Sequence, residues 1–204
     1  MSCISLAYSQ VDRPVCGTPS IPQDRIEQIG SAVEQWSNQR DGERDELKYI
    51  FVAWHIIHSS SGQGNYGDEV AFAAIEELNE MFFSHNVSFQ IDTIARTEND
   101  EWFGDWYDQS YQATQQICID PYNNMNVYTA NLFASGVAGF SYLANTFPAG
   151  DGRHSVNVDY RDLSPGEDVL THEVGVRQGV PPPLARYCGL DGGGIGDKQR
   201  PQEI

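Results

Sequence analysis

A chain of 204 residues with 12 basic and 29 acidic side chains carries a formal net charge of −17, which opposes binding to nucleic acid or to an anionic membrane surface. Its 40% hydrophobic content, including four Trp, ten Tyr and nine Phe, suits one domain with a sizeable core rather than a disordered chain. No run of about 18 apolar residues exists to span a membrane, and the N-terminal stretch "MSCISLAYSQVDRPVCG" shows neither the basic nor the apolar region of a signal peptide.

Residues 1–21 read as loop, punctuated by Pro14, Gly17 and Pro19. Ile26, Ile29, Val33 and Trp36 then recur at helical spacing and predict an amphipathic helix. "KYIFVAWHII", Lys48 to Ile57, is almost continuously apolar and predicts an inner strand buried on both faces. A Gly/Ser loop leads into a second helix over about Asp68 to Phe83, with Phe72, Ile75, Leu78 and Phe82 on its apolar side. Alternation of Val87, Phe89 and Ile91 predicts a strand. "DEWFGDWYDQS" reads as an acidic, aromatic loop running into a short helix near Tyr111–Ile117. Its Asp100, Asp105 and Asp108 offer carboxylates to Ca²⁺, a hard cation, although a solvated acidic loop is the plainer reading. "MNVYTAN" and "HSVNVDY" predict strands on either side of the extended, Gly-rich "GVAGFSYLANTFP". The order of helices and strands fits an α/β or α+β layer architecture with a mixed sheet.

"SPGEDVLTHEVG" predicts a final helix from Pro165 to about Gln178, with Ser164 as cap and Glu167 completing a capping box. Within it, His172 and Glu173 form the start of H-E-x-x-H. In that motif two histidines one turn apart hold Zn²⁺, and the glutamate acts as general base on a metal-bound water. Position 176 is valine, and position 182, where the long form of the motif has its third ligand, is proline. Neither supplies a lone pair, and one imidazole alone holds zinc weakly. Cys3, Cys16, Cys118 and Cys188 stand too far apart for a metal pair, while one disulfide is compatible with the count. His55 and His58 fall in or at the end of the predicted inner strand, and His85 and His154 in loops or strand ends, all with structural roles expected.

Several stretches, taken together and in order, resemble the pappalysin-type, ulilysin-like metzincin zinc metalloproteases. "RPVCGTP" is similar to the start of the family's mature domain, and "IFVAWHIIHSSSGQGN" to its first core strand and loop. "LNEMFFSHNVSFQIDTIARTENDEWF" is similar to its second helix and strand. "MNVYTANLFASGVAGFSYLANTFP" resembles the upper-rim strand that pairs with bound peptide, and "LTHEVG" the start of the zinc helix. The resemblance covers about residues 13–175. It implies a metzincin-like N-terminal subdomain: a twisted, mostly parallel sheet with backing helices, an active helix under the cleft and an antiparallel edge that binds substrate by strand addition. His172 then matches the first zinc ligand and Glu173 the general base. Gly136, Val137, Ala138, Gly139 and Phe140 match the substrate-facing edge. A peptide or protein substrate, a secreted monomer, Zn²⁺ and a disulfide are what the family implies.

The resemblance stops at Gly175, and the family's lower C-terminal subdomain with its methionine turn is not recognised beyond it. The expected division is a leader loop over 1–15, a metzincin-like upper subdomain over 16–179 and an out-of-family, disordered tail over 180–204. So sharp an edge suggests a shifted reading frame or an unspliced intron rather than gradual decay. As written, the chain is expected to be an inactive or nearly inactive zinc endopeptidase. The competing readings are a peptide-binding module without catalysis and a truncated, non-functional product.

Overall fold

The structure is a computed structural model and describes residues 15–18, 24, 27–28, 31, 47–143, 146–164 and 166–178. The predicted first helix lies largely, and the tail over 180–204 wholly, outside the described residues.

Six strands form one sheet: β1 (Val15–Cys16), β2 (Lys48–His58), β3 (Val87–Glu98), β4 (Asn124–Ala130), β5 (Val137–Ser141) and β6 (Ser155–Asp159), in the order β1-β5-β6-β4-β2-β3. β6, β4, β2 and β3 run parallel, and β5 lies antiparallel to β6. β1 pairs parallel with β5, so residues expected as leader and loop are part of the sheet. The fold is therefore the expected mixed α/β layer, with its one antiparallel junction at the predicted upper-rim strand.

Among the described residues, four helices whose bounds are defined cover the sheet: α1 (Asp68–Phe82), α2 (Asp100–Gly104), α3 (Trp106–Ile117) and α4 (Val169–Gln178). The acidic aromatic stretch is thus two helices rather than a loop with a late helix. Asn99 makes this so, because its side chain accepts from the Trp102 N–H and caps the first of them. α4 starts at Val169, four residues later than predicted. Ser164 and Glu167 close a turn instead, through Glu167 N–H to Ser164 O at 3.0 Å.

The inner strands are buried on both sides because each face of the sheet has its own core. On one face Val52, Trp54, Ile56, Met125, Val127, Val156 and Val158 pack against α1 and α4. On the other, Ile57, Tyr128, Ala130 and Phe140 pack against Phe103, Trp106 and Ala113 of α2 and α3. The buried stripe of α1 is Ala71, Ala74, Ile75, Leu78 and Phe82. Phe72, expected in that stripe, is 55% exposed, since one residue on from Ala71 is a rotation of about 100°.

The α3 face also carries a buried polar layer. Asn126 donates through Nδ2 to the carbonyls of Ile119 and Asn124, which fixes its amide orientation. Its Oδ1 then accepts from the Ile119 N–H and from His55 Nε2, both at 2.8 Å. His55 is held as the neutral, Nε2-protonated form and stacks on Tyr128 with ring centroids 4.3 Å apart. Trp106 Nε1 donates to Asn157 Oδ1 at 2.9 Å. His55 is structural, as the sequence led one to expect.

Burial lowers the His55 pKa from 6.5 to about 4, against the opposing pull of Asn126. The unfolded chain takes up this proton first, so the stability it supports is complete above about pH 6.5 and is lost as pH falls through 4. Relative to His55→Gln, the wild-type chain should lose about 3 kcal/mol between neutral pH and pH 4 in denaturant titrations. Equal pH dependence of the two would show that His55 is not the buried neutral group described.

Candidate active site

Helix α4 packs against β5 and β6 and delivers His172 and Glu173 beneath the strand edge. Thr171, His172, Glu173 and Val174 are all buried, and Glu173 has no exposed surface at all. Gly139 allows this approach. A Cβ there would stand 2.8 Å from Val169 Cγ1 and 3.0 Å from both Glu173 Cγ and Asn157 O.

Three donors converge on the Glu173 carboxyl. Ser141 Oγ, from β5, donates to Oε2 at 2.9 Å and stands 3.0 Å from the Glu173 carbonyl. Thr18 Oγ1 donates to Oε2 at 3.1 Å and also accepts from the Ser141 N–H at 3.1 Å. Cys16 Sγ donates to Oε1 at 3.2 Å. Burial pushes the Glu173 pKa well above the ordinary carboxylate range, and the adjoining Cys16 pushes the same way; His172 and the Ser141 hydroxyl pull it back.

Cys16, His172 and Glu173 each offer one ligand atom, and these atoms lie within 4.8 Å of one another. Thiolate, imidazole and carboxylate are all zinc ligand types, so the set fits Zn²⁺ chemically. It differs from the set inferred from the motif: position 176, one turn further along α4, is valine, and a cysteine from 156 positions upstream of His172 joins instead. Among the described residues this is the one cluster of its kind. Asp100, Asp105 and Asp108 are not gathered into a site. Asp100 is committed to Ser60, accepting from its N–H at 2.8 Å and its hydroxyl at 2.7 Å.

The stretch expected to form the substrate-facing edge is a strand and the turn before it. Val137, Ala138, Gly139 and Phe140 belong to β5, and Gly136 ends the short turn before it. Val15–Cys16 already pairs with part of this edge, and the Gly17 N–H donates to Gly139 O at 2.8 Å. The Phe140 side chain is spent on the core, so its contribution to the edge is its backbone. Sequence reading missed Cys16, Thr18 and Ser141 as site residues. The one signal available was the i, i+2 spacing of Cys16 and Thr18, which puts both side chains on one face of an extended segment. The expected disulfide is not formed by the described cysteines: Cys118 has a free thiol, and the Cys16 sulfur bonds to Glu173.

No family model matches the sequence, and neither does any curated protein. Solved structures do share its architecture. A promirolysin variant from Tannerella forsythia superposes with a TM-score of 0.54 at 17% identity, over 79% of this chain and 67% of that one. Mature Tannerella forsythia mirolysin with a cleaved peptide gives 0.53 at 18% identity, and mirolysin with a bound compound gives 0.52 at 19%, each over 65% of this chain and 63% of the other. The fold is that of mirolysin. The chain spans less than two thirds of the length of either of these two mirolysin structures.

Ser141→Ala should remove the β5 donor to the fully buried Glu173 and cost about 1–3 kcal/mol, seen as a lower denaturant midpoint at unchanged slope. An unchanged midpoint would mean that Thr18 and Cys16 satisfy the carboxyl without it.

Proposed function

We propose that this chain is the upper part of a zinc-dependent endopeptidase of the metzincin kind, with residues 15–18 lying along the peptide edge. The observation that carries this is the meeting of His172, Glu173 and Cys16 directly beneath β5. The likeness in fold to mirolysin supports it, and the match to promirolysin extends over more of the chain than the match to mature mirolysin.

His172 would hold Zn²⁺, with the Cys16 sulfur as a second ligand while the N-terminal segment lies in place. The metal, when bound, supplies a polarising charge for a carbonyl and an acidified water. The rest is done by the chain's own groups. β5 pairs with an extended peptide through its backbone, as Gly139 O already does with the Gly17 N–H. Glu173, when ionised, takes up a proton at Oε1 or Oε2, and its burial makes it hold that proton more firmly than an exposed carboxylate does. Ser141 holds Oε2 toward β5 while that proton moves. No helix among the described residues is long and apolar enough to cross a membrane.

Val176 favours a second reading, in which the edge binds peptide without hydrolysing it, because valine supplies no ligand where the motif needs one. Zinc titration by calorimetry, followed by peptide-cleavage assays, separates the two. The first reading expects one Zn²⁺ per chain, affinity reduced about tenfold or more by His172→Ala, and cleavage abolished by Glu173→Gln. Binding of zinc and peptide with no cleavage would establish the second. Absence of zinc binding in the intact chain would refute the metallopeptidase reading.

A further inference from the structure

Residues 15–18 lie on β5 as an extended peptide would, and their side chains alternate. Cys16 and Thr18 both turn toward Glu173, with Cys16 Sγ at 3.2 Å and Thr18 Oγ1 at 3.1 Å from its carboxyl oxygens. Gly17, between them, faces the other way, toward Tyr107 on α3 and Val137 on β5. Its backbone is held from both sides: the N–H donates to Gly139 O at 2.8 Å, and the carbonyl accepts from the Tyr107 hydroxyl at 3.3 Å.

A Cβ on Gly17 would stand 2.7 Å from Val137 Cγ1 and 2.9 Å from Tyr107 Cε2, both closer than real side chains approach. Gly17 is not in the left-handed region, so its backbone would accept any residue and the exclusion is purely steric. The two walls differ in stiffness, since Tyr107 is 37% exposed. Val137 is buried, β-branched and stiff about its first torsion. The Tyr107 ring packs edge-on against Phe140 with centroids 5.2 Å apart, and Phe140 in turn packs against Tyr142.

On the reading of β5 as the peptide-binding edge, we infer that Tyr107 is a specificity-determining residue: together with Val137 it closes the groove, so that a peptide lying as residues 15–18 lie must carry glycine where Gly17 stands. The occupant is an extended X-Gly-X segment whose outer side chains reach the Glu173 site and whose middle residue passes beneath the tyrosine ring. Residues 16–18, Cys-Gly-Thr, are one such segment supplied by the chain itself.

The test is the rate at which iodoacetamide alkylates Cys16 in the full-length chain, read cysteine by cysteine by peptide mapping. In the wild type, Cys16 should react far more slowly than in the urea-unfolded chain. Gly17→Ala should speed its labelling about tenfold or more, as overpacking expels the segment. Adding Tyr107→Ala to Gly17→Ala should restore part of the protection, Val137 Cγ1 remaining 2.7 Å from the added Cβ, whereas adding Tyr107→Phe should restore none, because the ring rather than the hydroxyl makes the contact. A Gly17→Ala chain protected like the wild type, or a double variant with Tyr107→Ala still fully reactive, would overturn the role of Tyr107. Cys118 serves as the control: if Gly17→Ala unfolds the whole chain, both cysteines accelerate, and rescue by Tyr107→Ala still decides. Wild-type Cys16 reacting as fast as in urea would instead sink the edge reading itself.

Discussion

A carboxyl group with no exposed surface must find donors or give up its charge, and this structure is arranged around that constraint at Glu173. Its three donors come from β1, the residues after β1, and β5, and the group itself is on α4. Elements from both ends of the described chain therefore meet at one carboxyl. The meeting requires helix and strand to approach closely, and the missing side chain at Gly139 makes the room. Without that approach Ser141 could not reach Oε2, and the cleft would have no floor.

The sheet gives this site a firm base by being unlike on its two faces. The α1 and α4 face is packed with aliphatic side chains and fixes the height of the active helix through Leu170 and Val174. The opposite face mixes aromatic rings with amides. Asn157, on β6, accepts from Trp106 Nε1, donates to Ser155 Oγ at 3.1 Å and lies 3.4 Å from the Phe140 carbonyl. One buried amide thus ties β5 to the helix that bears Tyr107. The strand forming the rim and the helix above it are located by the same hydrogen bonds, which sets the height of the space between them.

The layers were legible in the sequence because both-sided burial leaves a plain mark. The near-continuous apolar run of β2 and the alternation of Val87, Phe89 and Ile91 predicted strands where they are found. His172, Glu173 and the β5 stretch were singled out through local motif and resemblance, and in the structure the helix that bears the first two packs against β5. What was not legible depended on long-range contact. Nothing local marks Cys16 as a neighbour of a glutamate 157 positions away, nor Ser141 as its donor. α2 escaped because a single Asn99 cap outweighed a composition that reads as loop. Phe72 was misjudged because on a short helix one residue of phase separates the buried face from the exposed one.

The sheet's two borders are opposites. On the far side, β3 presents exposed Gln90, Asp92, Arg96 and Glu98 to solvent. Its register slips at Asp92, which has no partner in β2, so the strand bulges there. Arg96 is further tied to Asp68 at 2.5 Å. Charge and irregularity make that border a poor template for another chain. On the near side, β5 is short, mostly buried and already accepts a strand from its own polypeptide. The sheet is thus polarised: one border is guarded by charge and irregularity, and on the other the chain's own β1 is laid along β5 above Glu173.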